Sequence, residues 1–218
     1  MVQTLLVAPE TSCVKSHRPH SPEYEVIRYI SKFMYVSETE AAAILECFQY
    51  RTYKKGDILL REGQYSNLCY FTLKGCVRQY YIVDGEERTT NFYTEGQPIS
   101  PGEGNFKKLP SKFYLSCVED TILTVGTPED EIAFIKKFPK FEVVCRVAVE
   151  EELGKSHDKF ATYMLSSPEE RYLNLLKTRP ELSDRVPQYQ LASYLGIKPE
   201  SLSRIRKRIM KAPLDFTS

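Results

Sequence analysis

Two stretches of the sequence hold residue types that could do chemistry. The first is "FYTEGQPISPGEGNF", residues 92–106, which packs three glycines, two prolines and two glutamates into fifteen positions. Glycine-rich backbone can turn its N–H groups toward a phosphate, so this loop is a candidate ligand cradle. The second is "PQYQLASYLGIKPESLSRIRKRI", residues 187–209. Between residues 196 and 211 lie Lys198, Arg204, Arg206, Lys207, Arg208 and Lys211, opposed by Glu200 alone, while the rest of the chain is net acidic. A basic end on an acidic chain marks a surface for a polyanion.

The pattern beneath that charge is specific. Leu191, Ala192 and Leu195 share one side of a short helix, Gly196 follows, and a second helix begins near Pro199. Leu202, Ile205 and Ile209 form the second helix's apolar stripe. Helix, glycine turn and amphipathic helix make a helix-turn-helix, in which the small Ala192 allows close approach and Gly196 takes the left-handed turn conformation. If the second helix enters a major groove, its N-terminal residues meet base edges. Those are Lys198, Pro199, Glu200, Ser201, Ser203 and Arg204. Arg204 can pair with both acceptors of guanine, and Glu200 can accept from a cytosine amino group. Four residues apart, the two share a helix face. Ser201, Arg206 and Lys207 are placed to reach phosphates. The partner this predicts is double-stranded DNA.

Catalytic chemistry finds no comparable support. There is no P-loop, since "GQPISPGE" lacks the Lys-Ser/Thr and "GEGNFK" lacks a third glycine. No nucleophile–base pair or metal motif stands out, and the expectation is a non-enzyme without cofactor or metal. Cys13, Cys47, Cys69, Cys76, Cys117 and Cys145 include no C-x-x-C pair, which points to scattered free thiols. The sequence shows neither a signal-peptide pattern nor a membrane-length apolar run, so a cytoplasmic protein with no membrane partner is expected.

The elements that must position these stretches follow from periodicity. Residues 1–22, with Pro9, Pro19 and Pro22, read as a flexible tail. Residues 23–126 read as two leading helices and then a β-roll. Val26, Ile27, Ile30, Phe33 and Met34 have helical spacing, and Ser37 with Glu40 makes a capping box. The segments "LCYFTL", "CVRQYYIV", "RTTNFY", "KFYLSCV" and "TILTVG" read as short antiparallel strands, with "VDGEE" as a hairpin turn. Residues 127–165 read as a connecting helix capped by Thr127 and then a long helix from Lys140 to about Leu165, roughly 39 Å at 1.5 Å per residue. Cys145, Val149, Leu153 and Phe160, continued by Met164, form a stripe on that helix and the candidate dimer seam. Residues 166–218 hold a helix capped by Ser167 and then the helix-turn-helix. The fold class is α+β: an antiparallel jelly-roll-like sensor, a long dimerisation helix and a C-terminal winged helix-turn-helix.

A roll, a long helix and a helix-turn-helix in that order resemble the Crp/Fnr family of bacterial transcription regulators. The strongest likeness lies in "YLNLLKTRPELSDRVPQYQLASYLGIKPESLSRIRKRI". "KKGDILLREGQYSNLCYFTLKGCVRQYY" is similar to the family's cyclic-nucleotide-binding roll, with Gly56, Asp57, Gly63 and Gly75 at its turns. The resemblance implies a homodimer, a palindromic operator, RNA polymerase as a further partner and a small-molecule effector in the roll. Glu200 and Arg204 match the family's base-reading positions, and Pro199 departs from a frequent arginine. Relatives that bind cyclic nucleotides carry Gly-Glu, then Arg followed by Ser or Thr and Ala. Counted on from Gly96, Ser100 and Pro101 fall at the Gly-Glu place, and Pro101 has no N–H to donate. A shifted alignment instead uses Gly102 and Glu103 with Lys112, and "KFY" then stands where Arg-Ser/Thr-Ala belongs. Lysine is a point charge rather than a bidentate fork. The usual pocket is therefore expected to be degenerate and the effector unknown. The competing expectation is a ligand-sensing module that acts through protein contacts.

Overall fold

The computed structural model describes residues 21–100 and 109–211. The first elements are a 3-10 turn, Pro22–Tyr24, and two short helices, α1 (Glu25–Ile30) and α2 (Glu38–Leu45). α1 stops at Ile30, short of the predicted span, yet Phe33 and Met34 still pack on the cluster formed by Val26, Ile27, Ile30 and Ile44. Ser37 and Glu40 form the expected capping box.

Among the described residues eight strands follow: β1 (Gln49–Tyr53), β2 (Ile58–Leu60), β3 (Cys69–Lys74), β4 (Val77–Val83), β5 (Glu86–Tyr93), β6 (Pro98–Ile99), β7 (Tyr114–Cys117) and β8 (Thr121–Gly126). They make two four-stranded sheets, ordered β1-β8-β3-β6 and β2-β7-β4-β5, with antiparallel pairing. Five strands answer to segments read from the sequence. The other three, β1, β2 and β6, are short or polar, and Pro98–Ile99 falls inside the glycine-rich loop. Between the sheets lie Leu60, Val77, Ile99, Leu115, Leu123 and Val125. Asp84 and Gly85, both with positive φ, turn β4 into β5 as the Asp-Gly pair predicts.

In this pairing Gln79 faces Asn91 while Tyr80 faces Thr89, so Thr90 is an extra residue on β5. Such a bulge bends the strand locally.

The remaining elements are helical: α3 (Pro128–Lys137), a 3-10 turn (Pro139–Phe141), α4 (Glu142–Leu165), α5 (Pro168–Thr178), α6 (Leu182–Arg185), α7 (Gln188–Tyr194) and α8 (Pro199–Lys211). Thr127 and Ser167 cap α3 and α5 with the predicted boxes. α4 starts at Glu142 because Pro139 opens a separate turn first. From residue 127 onward the described residues contain no strand, so no strand of the expected wing is among them.

Candidate functional site

The helix-turn-helix is built as its pattern predicts. Leu191, Ala192, Leu195, Leu202 and Ile205 are buried, and Ile209 packs against them from the side. Gly196 turns the chain at φ +70°, and Ile197 N–H returns to Ala192 O at 3.0 Å. This is a helix C-terminal closure that glycine makes without strain. The opposite face of α8 is polar. Lys198, Glu200, Ser203, Arg204 and Lys207 are exposed, and Ser201 and Arg206 are half-buried. Arg208 forms an ion pair with Glu169 at the start of α5. Among the described residues no ion pair holds Lys198, Arg204, Arg206 or Lys207. Those cations are available to another molecule.

The C-terminal helices rest on the roll. β5 is an edge strand, and an uncovered edge leaves backbone groups unpaired. Ser193 of α7 covers it: its hydroxyl accepts from Thr89 N–H at 2.9 Å and donates to Glu87 O at 3.0 Å. Arg179 donates to Phe92 O at 2.8 Å and to Thr94 Oγ1 at 3.0 Å. Phe92 meets Tyr194 edge-to-face with ring centroids 5.3 Å apart. Cys76, Phe92 and Val118 of the roll join the same buried cluster as Leu191 and Leu202. Burial there pushes the Cys76 thiol up to about 12, so it stays protonated. Arg185 reaches both Glu95 and Glu119. Burial works against the Glu95 carboxylate, but bonds from Arg185 and from backbone N–H groups prevail and hold its pKa below the usual value.

A cleft of about 1070 Å³ lies between the roll and α4. One wall is apolar, with Ile30, Phe71, Phe134, Phe141 and Val144. The other carries Gln79, Asn91 and Tyr93 from the bulged strand pair. Tyr93 Oη donates to Gln79 Oε1 at 2.7 Å. Burial raises the Tyr93 pKa against the opposing bond from Asn91. Asn91 Oδ1 is buried without a partner.

The sequence-predicted sites fare unequally. Gly102 and Glu103 lie outside the described residues. Lys112 is exposed and does not line the cleft. The next residue, Phe113, is buried in the roll core beside Tyr81, and Tyr114 stacks on Tyr80 at 5.0 Å. Cys145, Val149 and Leu153 face the cleft, and Val149 and Leu153 remain 69% and 57% exposed. Phe160 and Met164 continue the stripe at 68% and 65% exposure. The cleft residues Asn91, Tyr93 and Lys159, and the docking residues Arg179, Arg185 and Ser193, were not singled out from the sequence. Their roles depend on partners 66 to 106 positions away for the docking set. No local pattern announces such pairs.

Two layers of sheet, a long helix and a helix-turn-helix, in that order, define the fold class. Residues 50–137 match the family model of the cyclic nucleotide-binding domain. A CooA variant from Carboxydothermus hydrogenoformans superposes with TM-score 0.63 at 16% identity, covering 80% of this chain and 81% of that one. FixK2 from Bradyrhizobium japonicum gives 0.61 at 16%, covering 75% and 84%. The c-di-GMP-responsive global regulator CLP of Xanthomonas campestris gives 0.61 at 17%, covering 78% and 91%. No curated protein sequence matches the chain. The roll is thus a cyclic nucleotide-binding-type domain, and the chain has the fold of the Crp/Fnr transcription regulators, as its sequence motifs indicated.

Proposed function

We propose that the protein is a dimeric, sequence-specific DNA-binding transcription regulator of the cytoplasm, with an effector cleft altered from the cyclic-nucleotide type. The observation that carries this reading is α8. One face is buried against α7, and the other presents Lys198, Glu200, Ser203 and Arg204 without ion-pair partners among the described residues. That face carries a guanine-reading arginine and a cytosine-reading glutamate, supported by phosphate-seeking Ser201, Arg206 and Lys207. Residues 23–126, 127–165 and 166–218 serve as sensor, connecting and dimerisation helices, and DNA-binding domain; residues 1–20 of the expected tail lie outside the described residues. The altered cleft is favoured by the placement of Lys112 and Phe113, one exposed and one in the roll core.

The test is selection of bound sequences from random DNA, then titration of Arg204→Ala against the selected operator and a scrambled duplex. The variant should lose about 1–3 kcal/mol on the operator and far less on the scrambled duplex. Equal loss on both would remove Arg204 from base reading. If the protein has no salt-dependent DNA affinity, the competing reading takes over, a sensing module that signals through protein contacts.

A further inference from the structure

The cleft between the roll and α4 has more to say about its ligand. Its volume of about 1070 Å³ stands at the top of the range usual for small-molecule sites, roughly 300–1,000 Å³. Two polar groups in its lining are left without partners. Asn91 Oδ1 is buried and accepts no hydrogen bond. The Lys159 ammonium makes no ion pair or hydrogen bond with the described residues. Lys159 is exposed, yet desolvation by the protein beside it and then repulsion from Arg179 lower its pKa, against a weaker attraction from Glu152.

The neighbouring charges narrow the choice. The three nitrogens of Arg179 are spent on Glu181, Phe92 O and Thr94. Three acids also line the cleft. Asp130 is bound by the backbone and hydroxyl of its own cap residue, Thr127. Glu152 pairs with Lys155 at 2.8 Å. Glu131 lies on the exposed side of α3. A cationic ligand would therefore meet carboxylates already committed or out in solvent, whereas an anionic one meets an ammonium that no close ion pair among the described residues holds. A single lysine suits one monoanionic head and not a phosphate needing a bidentate clamp.

Building on the reading of the roll as an effector domain, we propose that the cleft binds an amphipathic small-molecule carboxylic acid. Its carboxylate lies on Lys159, an N–H or O–H beside the carboxylate donates to Asn91 Oδ1, and its apolar body lies against Phe71, Phe134 and Val144. Binding satisfies the two polar groups that the protein leaves open and covers apolar wall at the same time.

The experiment uses the full chain with N-decanoylglycine, decanoate, the methyl ester of each, and cyclic AMP, read by thermal shift and titration calorimetry. N-decanoylglycine should stabilise the protein saturably, decanoate more weakly for lack of the N–H, and each ester at least tenfold more weakly than its acid. Lys159→Met should weaken the acids about tenfold and leave the esters unchanged, at unaltered melting temperature without ligand. Asn91→Leu should abolish the advantage of N-decanoylglycine over decanoate. Absence of binding by both acids, equal affinity of acid and ester, or cyclic AMP binding tightly and indifferently to Lys159→Met would each overturn the proposal. Operator binding, measured on the same preparation, separates the two readings. Intact DNA binding without acid binding defeats the ligand class alone, and acid binding without DNA binding defeats the regulator alone.

Discussion

Arg185 of α6 grips Glu95 of the roll with both arms of its guanidinium, Nη1 at 2.9 Å and Nη2 at 2.8 Å from the two carboxylate oxygens. Glu95 also accepts from Gly75 N–H at 2.8 Å, so the carboxylate ties the β3–β4 turn to the C-terminal helices. Along with Ser193 and Arg179, this pair holds the helix-turn-helix on the edge of β5. The helix-turn-helix and the roll are therefore packed together in this posture, and the integrity of that packing can be measured at the contact.

Arg185→Ala should loosen that packing. Both partners are partly exposed, so the pair contributes about 1 kcal/mol, which is about a fivefold change in the open population. Cys76 reports it directly. Its thiol is fully buried between the roll and the C-terminal helices and protonated, hence unreactive while they are docked. Alkylation of Cys76 by iodoacetamide, followed by peptide mass spectrometry, should run about fivefold faster in Arg185→Ala. An unchanged rate would mean that Arg185 does not hold the contact.

The same pair predicts a pH dependence. The folded pKa of Glu95 lies below its unfolded value of about 4.3, so its stabilisation is complete above that pH. The stabilisation is lost as pH falls through the lower folded value. Urea midpoints of the native protein and Glu95→Gln should differ at pH 7, and the gap should narrow as the pH falls below the unfolded value of about 4.3. A constant gap across that range would show that the Glu95 carboxylate is not the titrating group.

What the sequence disclosed and what it withheld divide along physical lines. Caps, the Asp84-Gly85 turn and the Leu191–Ile209 pattern are local, since each is decided by residues within a few positions of one another. β3, β4, β5, β7 and β8 were legible for the same reason. β6 was not, because two residues beginning with a proline carry no alternation to read. Glu200, Ser203 and Arg204, the base-reading candidates named from the sequence, are exposed on α8, and Ser201 is half-buried. The cleft was not. It depends on a bulge at Thr90 and on α4 crossing the roll, so Gln79, Asn91 and Lys159 come to line one cleft only once the chain is folded. The glycine-rich loop drew attention to Gly102 and Glu103, outside the described residues, while the open polar groups lie on strand and helix instead.

Gly196 offers a test of the turn itself. Its φ of +70° is unfavourable for any side chain, and a Cβ there would press into the phenol of Tyr163 from α4. The Arg171 guanidinium lies over that ring, 4.4 Å from its centroid, which limits how far Tyr163 can retreat. Gly196→Ala should cost roughly 1–3 kcal/mol in chemical denaturation, combining the left-handed backbone with the overlap. Adding Tyr163→Ala should recover the overlap alone. If the double variant recovers nothing, the backbone conformation is the whole cost.

The exposed stripe on α4 predicts the assembly state. Val149, Leu153, Phe160 and Met164 stand at steps of four and seven on a helix of 24 residues, and all four are more than half exposed. Large apolar side chains repeated along one helix face mark a surface that another molecule covers. A second copy suits it, because the same stripe on a partner is self-complementary about a two-fold axis. Light scattering at micromolar concentration should give about twice 25.2 kDa. Phe160→Glu is the cleanest probe, since Phe160 does not line the cleft, whereas Val149 and Leu153 do. It should yield a monomer with a little-changed melting temperature of the roll, because the replaced side chain is already 68% exposed. It should also weaken binding to a two-half-site operator more than to a single half-site, since only a dimer engages both halves at once. A native protein that scatters as a monomer would remove the stripe as a seam. A Phe160→Glu variant that remains dimeric would move the seam elsewhere on the chain.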